Sequence, residues 1–255
     1  MSAPVFLAEA SGIDRLAAGD HYLLDGPEGR HAGVVQRRRP GEAVDVVDGD
    51  GVRAHCTIES VHESQVRLAV DEVVHEPLPQ PALVLVQALA KGDRDELAIE
   101  AATEVGVDGV IPWQASRSIV VWRGDRAAKS RARWVATVRT ASKQSRRARL
   151  PRVEESVTTT SLAARTREVV AAGGAVLVLH ESAEQPLAGA RVPAPGEGVE
   201  ILVVVGPEGG IAADELTELE EAGAQTVLLG PHVLRTSTAG PVALALLAQR
   251  LGRWG

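Results

Sequence analysis

The 255-residue chain is poor in aromatic residues and has a single cysteine. Aromatic residues make up only 2% of the sequence, so the hydrophobic core must be built mainly from Val, Leu, Ile and Ala. Cys56 has no second cysteine with which to form an internal disulfide, which favours a protein of a reducing compartment. The hydrophobic fraction of 45% is that of an ordinary globular protein.

Long hydrophobic runs are also missing. The apolar runs are strand-sized, and none approaches the roughly 18 residues of a membrane-spanning helix. The first residues, MSAPVFLAEASGIDR, lack the basic start and the apolar stretch of a signal peptide. His55, Cys56 and His62 lie near one another, but their spacing matches no zinc motif. We therefore expect a soluble, cytoplasmic protein without a metal site.

Basic residues are fewer than acidic ones, and the net charge is −7. They are unevenly distributed, because residues 117–152 contain twelve Lys or Arg and one acid, Asp125. This basic segment carries +11, which leaves −18 for the rest of the chain. Since almost no acids are interleaved to neutralise it, a surface that binds a polyanion is favoured over a salt-bridged helix face that only meets solvent.

Short β-strand patterns fill the N-terminal part of the sequence. The segment GEAVDVVDGDGVRAHCTIESV alternates apolar and polar residues on both sides of Asp48–Gly51, which predicts a β-hairpin. With QVRLAVDEVV and other short runs, this pattern predicts a small β-barrel domain in residues 1–74. Three prolines in HEPLPQPA predict a linker over residues 75–82.

Residues 83–255 alternate between strand and helix patterns, which predicts an α/β domain with a mostly parallel sheet. The runs AVLVLHE and VEILVVVG are continuously apolar, as in strands buried on both faces. SIVVW (118–122) predicts another short strand, and Asp125 to about Arg147 predicts a long helix. On a helical wheel this helix has a narrow apolar stripe opposite a broad basic face. The stripe consists of Ala127, Trp134, Val138, Ala141 and Ser145.

A glycine-rich loop lies between a strand and a helix in VEILVVVGPEGGI (199–211). This layout is typical of phosphate-binding loops, but no lysine follows it, and Pro207 removes one amide donor. Glu208 adds a negative charge, and the next helix begins with the acids Asp214 and Glu215. The loop therefore favours a neutral or cationic ligand, and an enzyme acting on nucleotide phosphates is disfavoured.

Two further loops follow predicted strands, in LVLHESAEQPL and LLGPHVLRTSTA. Because the carboxyl ends of parallel strands meet at one edge of a sheet, we expect the three loops to line one ligand-binding crevice.

Five motifs follow one another along nearly the whole chain: RHAGVVQRRRPGE, KGDRDELAIEAATEVGV, SKQSRRARLP, GPEGGIAADEL and LLGPHVLRTSTA. In this order they resemble the motifs of the RsmE family of 16S ribosomal RNA methyltransferases. The resemblance implies an N-terminal PUA-like β-barrel that binds RNA and a C-terminal SPOUT-class α/β domain with a trefoil knot. It also implies a homodimer that binds S-adenosylmethionine in the knot and methylates N3 of a uridine in the small ribosomal subunit.

The resemblance assigns the cofactor to the three loops. The expected cofactor-binding residues are Leu179, His180, Glu181, Gly206, Pro207, Glu208, Gly209, Gly210, Ile211, Leu229, Gly230, Leu234, Arg235, Thr236 and Ser237. The expected RNA-binding residues are cations from both domains: Arg37, Arg38, Arg39, Lys91, Arg94, Arg117, Arg123, Arg126, Lys143, Arg146 and Arg147.

Arg235 is the charged residue of the last motif, and we expect it to stabilise the uridine anion that forms when N3 loses its proton. His232 and Glu208 are both candidates for the base. Two motifs depart from the family pattern: Ser237 replaces a glutamate in the last motif, and Lys143–Arg147 (KQSRR) replaces EQSGR. The first leaves open an alternative function, a catalytically impaired factor that binds RNA in ribosome assembly. The second adds positive charge for RNA.

Overall fold

The computed structural model describes residues 3–8, 12–194 and 198–254. The chain forms two compact units. The first consists of Met1–Leu78 and Ser142–Leu150, and the second of Pro79–Ala141 and Pro151–Gly255. The boundary after Leu78 falls within the predicted proline-rich linker. The inclusion of residues 142–150 in the first unit has no counterpart in the sequence-based division into residues 1–74, 75–82 and 83–255, which stays a prediction.

The first unit is built on a five-stranded sheet with the order β1-β3-β4-β5-β2. Strand β1 pairs with β3 in parallel, and the other pairings are antiparallel. The strands are β1 (Val5–Leu7), β2 (His21–Leu24), β3 (Ala43–Val47), β4 (Val52–His62) and β5 (Gln65–His75). The predicted hairpin is confirmed, because β3 and β4 are antiparallel neighbours joined at Asp48–Gly51. Asp48 Oδ1 accepts hydrogen bonds from the amides of Asp50 (2.7 Å) and Val52 (2.9 Å), which fixes the turn.

A short helix packs closely on the turn between β4 and β5. It begins as α1 (Gly26–Arg30) and continues as one π-helical turn over His31–Val35. Gly29 and Gly33 lie one turn apart and face the backbone oxygens of Ser64 and Glu63. A Cβ atom at either glycine would overlap those oxygens, so the close approach requires glycine at both positions.

Residues 142–150 complete the first unit through polar and apolar contacts. Lys143 Nζ lies 2.7 and 2.9 Å from the two carboxylate oxygens of Glu28, whose side chain is 7% exposed. Arg53 Nη2 donates to the carbonyl oxygen of Arg146 at 2.9 Å. A small apolar cluster joins this segment to the sheet; its members are Val5, Leu7, Val47, Ala148 and Leu150. The segment is therefore an integral part of this unit's core.

The second unit contains a parallel sheet, which confirms the predicted α/β class. Its strand order is β12-β10-β11-β6-β7-β8, with β9 also paired to β7. The strands are β6 (Ala82–Ala88), β7 (Gly109–Gln114), β8 (Arg152–Val153), β9 (Val157–Thr158), β10 (Ala175–Leu179), β11 (Glu200–Val205) and β12 (Gln225–Val227). Strand order reverses between β6 and β11, which is where open α/β sheets bind ligands.

Helices cover both faces of the parallel sheet. They are α2 (Arg94–Glu104), α3 (Asp125–Gln144), α4 (Thr159–Ala171), α5 (Ala213–Glu221) and α6 (Thr236–Arg250). Leu83, Leu85 and Val203 join one buried cluster with residues of α2, α3 and α6. Val84 and Val204 join a second cluster with residues of α4 and α5. The strands are thus buried on both faces, as their apolar sequences predicted. No helix in the described residues is long and apolar enough to cross a membrane.

The predicted strand at 118–122 is wrong, since these residues form a loop. The side chain of Gln114 makes the backbone hydrogen bonds that a neighbouring strand would otherwise make. Its Nε2 donates to Val120 O at 3.0 Å, and its Oε1 accepts from Trp122 N at 3.2 Å. Ile119 is 71% exposed, whereas Trp122 is buried edge-on against Trp134 with ring centroids 5.2 Å apart. The apolar run therefore anchors a loop through one indole.

Helix α3 ends at Gln144, three residues earlier than predicted. Arg146 adopts a left-handed backbone conformation with φ +60°, which cannot continue a right-handed helix. Trp134, Val138 and Ala141 are buried and Ala127 is partly buried, as the helical wheel predicted. Ser145 lies beyond the helix and is not part of its apolar stripe.

Candidate functional site: a crevice at the carboxyl ends of the parallel strands

A cavity of about 780 Å³ opens at the carboxyl ends of β10, β11 and β12 in the second unit. Its size falls within the range of small-molecule sites. Three loops form most of its wall, and they are the loops in which the sequence predicted a ligand: residues 179–181, 205–211 and 228–236. Leu179, Val205, Ile211 and Leu229 give the wall an apolar part.

All but one of the expected cofactor residues line this cavity. The lining ones are Leu179, His180, Glu181, Gly206, Pro207, Glu208, Gly209, Gly210, Ile211, Leu229, Gly230, Leu234, Arg235 and Thr236. Ser237 is not among the lining residues; it is partly buried in the first turn of α6. Their role as cofactor ligands remains a prediction, but the fold brings them together.

The GPEGG loop is shaped by its glycines. Gly206 lies against buried Ile211, and a Cβ at this glycine would lie 2.7 Å from Ile211 Cγ1. The amide of Gly210 donates to Pro207 O at 2.9 Å, which closes a tight turn, and Gly210 has φ +72°. Larger residues at these two positions would disturb the turn, so the loop presents backbone atoms to the cavity.

Glu208 is held by the loop that precedes α2 and by the first residue of that helix. Its Oε1 lies 2.7 Å from Arg94 Nη1 and 3.1 Å from the amide nitrogen of Lys91. Partial burial opposes ionisation of this carboxyl, but hydrogen bonds from backbone amides and from Arg94 outweigh that effect and lower the pKa of Glu208. Its charge is therefore partly neutralised by Arg94. This weakens the argument that the Glu208 charge repels a phosphate, whereas the missing lysine and the proline still disfavour one.

Arg117 holds the other side of the GPEGG loop. Its Nη1 donates to Gly209 O at 3.0 Å, and its side chain lines the cavity together with Arg94. Lys91, Arg94 and Arg117 were predicted to bind RNA. The structure places all three against the candidate cofactor loop.

The hydrogen bonds of His180 fix the position of its ring proton when the side chain is neutral. Its Nδ1 lies 3.2 Å from the amide nitrogen of Ser182, and 2.8 Å from that residue's Oγ. A backbone amide can only donate, so Nδ1 must be the acceptor and the ring proton is on Nε2. This arrangement makes His180 unsuited to accept a proton through Nε2.

Arg235 and His232 are exposed residues of the third loop, and both line the cavity. Arg235 has extended backbone dihedrals of −65° and 151° and precedes the first turn of α6. Its carbonyl oxygen accepts from the amides of Thr238 and Ala239, at 2.8 and 3.0 Å. These bonds fix its backbone at the cavity rim and leave the long side chain exposed.

Glu215 is a buried carboxylate that sequence analysis assigned only to the acidic start of α5. It accepts hydrogen bonds from the amide and hydroxyl of Ser116, both at 2.8 Å, from Thr159 Oγ1 at 2.6 Å and from the amide of Ala212 at 3.3 Å. It joins three segments behind the GPEGG loop. Its position three residues after Ala212, at the N-terminus of a helix, is the one sequence signal for this role.

Many cations of the basic segment have partners that are remote in sequence. Arg133 pairs with Glu96, Arg131 with Glu155 and with backbone oxygens, and Lys143 with Glu28. Arg139 and Arg147 also have interaction partners. The local charge pattern therefore predicted too many free cations, because the acids that pair with them come from other elements.

A smaller set of cations stays exposed without an ion pair in the part of the chain that the structure describes. In the second unit they include Arg123, Arg126 and Lys129, at and before the start of α3. In the first unit Arg37 and Arg39 are exposed, whereas Arg38 is partly buried and hydrogen-bonded to Gln36 and Glu42. Arg146 is exposed as well, although its carbonyl is used by Arg53.

The described residues contain no group of three or more His, Cys, Asp or Glu side chains that could hold a metal ion. His55 instead places Nδ1 2.8 Å from Asp45 Oδ1, and Cys56 is buried in the sheet. Burial, reinforced by the charges of Asp71 and Asp45, raises the pKa of the Cys56 thiol to about 12.

Two family models match the chain. An RNA methyltransferase domain covers residues 76–248, and an RNA methyltransferase PUA domain covers residues 24–71. The ribosomal RNA small subunit methyltransferase E of Mycobacterium bovis is 47% identical over 232 residues, which are 91% of this chain and 87% of the relative. The chain belongs to this family.

The protein of the same name from Bacillus subtilis is 33% identical, over 89% of both chains. Among solved structures, the ribosomal RNA small subunit methyltransferase E of Neisseria gonorrhoeae bound to S-adenosyl methionine matches with a TM-score of 0.84. It is 27% identical, and the match covers 98% of both chains. The RsmE resemblance seen in the motifs is thereby confirmed.

Proposed function

We propose that this protein transfers a methyl group from S-adenosylmethionine to N3 of a uridine in 16S ribosomal RNA of the small subunit. The observation that carries the proposal is the convergence of three family loops on one cavity at the carboxyl ends of β10, β11 and β12. Membership of the methyltransferase family supports the reaction. The RsmE structure bound to S-adenosyl methionine supports the cofactor.

The residues of the cavity fit this cofactor. Its apolar wall suits an adenine ring, and the close packing of Gly206 on Ile211 leaves backbone atoms facing the ligand. The loops 179–181, 206–211 and 229–236 would hold it. When bound, S-adenosylmethionine supplies a methyl group on a positively charged sulfur.

The protein's part in catalysis is to orient the uridine, exclude water and stabilise charge. Orientation alone supplies about 7–11 kcal/mol toward lowering such barriers. Arg235 is placed at the cavity rim with its guanidinium exposed, where it can stabilise the anionic uridine. Glu208 fits the role of base poorly, because Arg94 and the Lys91 amide already bind its carboxylate. His232 is the remaining candidate.

RNA binding is assigned to the exposed cations of each unit. The first candidates are Arg37, Arg39 and Arg146 in the PUA-like unit, and Arg123 and Arg126 in the α/β unit, because each is exposed and has no ion pair among the described residues. Contacts of this kind with phosphates give affinity without reading the sequence. We further propose that the five-stranded sheet of the first unit closes into the expected PUA-like barrel.

We also propose the trefoil knot and the homodimer. The knot is supported by the segment after β10: Leu187 N and Leu228 O, and Leu228 N and Gln185 O, are each 2.8 Å apart. The dimer is supported by apolar side chains that α6 leaves exposed, Val242 (37%) and Leu246 (51%), one helical turn apart. Sedimentation of the purified protein tests the dimer. A ribosomal RNA substrate also agrees with the predicted cytoplasmic location.

The deciding experiment incubates the protein with labelled S-adenosylmethionine and small ribosomal subunits that lack the modification. Nucleoside analysis should then detect 3-methyluridine, and Arg235→Ala should reduce turnover by about 10²-fold while cofactor affinity is kept. A protein that binds RNA but neither binds S-adenosylmethionine nor forms 3-methyluridine would instead support the alternative of an impaired assembly factor. Full turnover of Arg235→Ala would remove only the role given to Arg235.

A further inference from the structure

Gln87 is a fully buried amide at the carboxyl end of β6, next to the site where the strand order reverses. It lies level with Val205 of β11, the residue that precedes Gly206. It is the polar residue of an otherwise apolar strand, ALVLVQA. Its Oε1 is buried and has no hydrogen-bond partner among the described residues. A buried amide that leaves one atom unpaired is unfavourable for folding, so packing alone does not explain it.

The hydrogen bonds of Gln87 have a fixed direction. Its Nε2 donates to Ala88 O at 3.2 Å and lies 2.9 Å from Thr236 Oγ1. Because a carbonyl oxygen only accepts, the nitrogen must face Ala88, and Thr236 Oγ1 must accept from Gln87. The single hydroxyl proton of Thr236 is then donated to Gly206 O, which lies 2.8 Å away.

This chain of hydrogen bonds ties together two of the three cavity loops. Gly206 begins the GPEGG loop, and Thr236 ends the loop that carries Arg235. Gln87 does not line the cavity and acts on it only through Thr236. Gly206 O accepts from Thr236, so one of its two lone pairs is used within the protein.

We propose that Gln87 and Thr236 are positioning residues, which set the spacing of the two loops that grip the methyl donor; the inference rests on the proposed function. Gln87 Nε2 holds Thr236, and Thr236 holds the carbonyl of Gly206. Without this chain the loops close less accurately around the donor, and the affinity for S-adenosylmethionine falls. Small displacements of groups that orient reactants have large effects on catalysis.

Two near-isosteric variants test the proposal, Gln87→Met and Thr236→Val, with binding of S-adenosylmethionine measured by calorimetry. Each should raise the Kd for S-adenosylmethionine by at least about tenfold, and methylation kinetics should show KM rising more than kcat falls. Thr236→Ser keeps the hydroxyl and should stay within about twofold of the wild type. The matched control is Thr238→Val, in the same helical turn but exposed, which should bind normally.

Thermal unfolding separates positioning from a merely structural role. Gln87→Met removes a half-satisfied buried amide, so its melting temperature should equal or exceed that of the wild type although its affinity is lower. The double variant should bind S-adenosylmethionine no more weakly than either single variant, because both substitutions break the same chain of hydrogen bonds. If Gln87→Met does not fold, the proposal is decided by whether Thr236→Val binds S-adenosylmethionine more weakly than Thr236→Ser.

Wild-type affinity in both Gln87→Met and Thr236→Val, or equal losses in Thr236→Ser and Thr236→Val, would overturn the inference and leave the proposed function intact. Failure of the wild-type protein to bind S-adenosylmethionine or to form 3-methyluridine would overturn the proposed function itself. The two failures are therefore distinguished by the wild-type measurement.

Discussion

Glu208 Oε1 lies 2.7 Å from Arg94 Nη1, although the two residues are 114 positions apart in the sequence. The pair joins the first residue of α2 to the GPEGG loop at the edge of the cavity. Arg94 is 53% exposed and Glu208 25%, so solvent screens the attraction, and we expect its contribution to stability to be below about 1 kcal/mol. The pair is therefore more important for the position of the loop than for the fold.

Replacing Arg94 should loosen the GPEGG loop. We expect Arg94→Ala to weaken S-adenosylmethionine binding by about two- to fivefold at neutral pH, in the absence of RNA, with little change in thermal stability. Because Arg94 helps to hold the pKa of Glu208 below its ordinary value of 4.5, the pair is fully formed above that pH. It is lost as the pH falls through the lowered pKa. Arg126→Ala is the control, and equal affinities of the two variants would contradict this account.

Asp95 is expected to make stability depend on pH. Burial raises the pKa of this carboxyl from 3.8 to about 6. Between about pH 4 and 6 the folded state then binds more protons than the unfolded state, so the free energy of unfolding falls as the pH rises. Asp95→Asn should be as stable as the wild type below pH 4, and more stable by up to about 3 kcal/mol at pH 7.

Urea unfolding of Asp95→Asn and wild type at pH 4, 5, 6 and 7 measures this difference directly. Asp93→Asn, an exposed neighbour, controls for the change in net charge. A difference between wild type and Asp95→Asn that is constant across the four pH values would show that Asp95 does not titrate in this range.

Arg253, three residues after α6, anchors the C-terminal segment to the starts of β6 and β7. Its Nη2 lies 2.7 Å from Asp108 Oδ2 and also contacts Pro81 O, and both side chains of the ion pair are largely buried. Arg253→Ala removes one partner of a largely buried ion pair, and should destabilise the protein by about 3–5 kcal/mol in denaturant unfolding. Arg250→Ala removes an exposed arginine at the end of α6 and should change stability by less than about 0.5 kcal/mol. Similar losses in the two variants would refute the anchoring role.

Lys143 and Lys129 lie in the same helix but should have different functions. Lys143→Ala removes the partner of buried Glu28 and should destabilise the protein by about 3 kcal/mol. Lys129→Ala should leave stability unchanged, but weaken RNA binding and lower the slope of log affinity against log salt by about 1. Unfolding and filter-binding assays at several salt concentrations separate the two effects. An unchanged salt slope in Lys129→Ala would show that this face does not meet phosphate.

Most elements of the fold were predictable, because the spacing of apolar residues indicates which side chains are buried. Strand β10 is apolar throughout, β11 is apolar after Glu200, and both lie inside the parallel sheet. The alternating residues of β3 and β4 form the predicted hairpin. The strand predicted from the apolar run at 118–122 is wrong because the side chain of Gln114, and not a neighbouring strand, binds the backbone of this run. Periodicity cannot detect such a contact.

The position of the cavity was predictable from the three loops, whereas the partners within it were not. Arg94 and Arg117 were assigned to RNA because their charges were visible and their contacts with Glu208 and Gly209 were not. Lys143 forms an ion pair with Glu28, which is 115 positions away in the sequence, and at this separation charge patterns give no information on pairing. Gln87 carried one readable signal, an amide at the end of a buried apolar strand.

The first unit contains a late segment of the chain, so its folding depends on the order of synthesis. Residues 142–150 supply Lys143 to Glu28 and Leu150 to the cluster around Val47, but they are translated long after the strands they complete. A nascent chain that ends near residue 78 therefore lacks the lysine that binds the buried Glu28 carboxylate, and it leaves the apolar cluster around Val47 incomplete. The N-terminal unit cannot reach its final structure until more than half of the protein has left the ribosome.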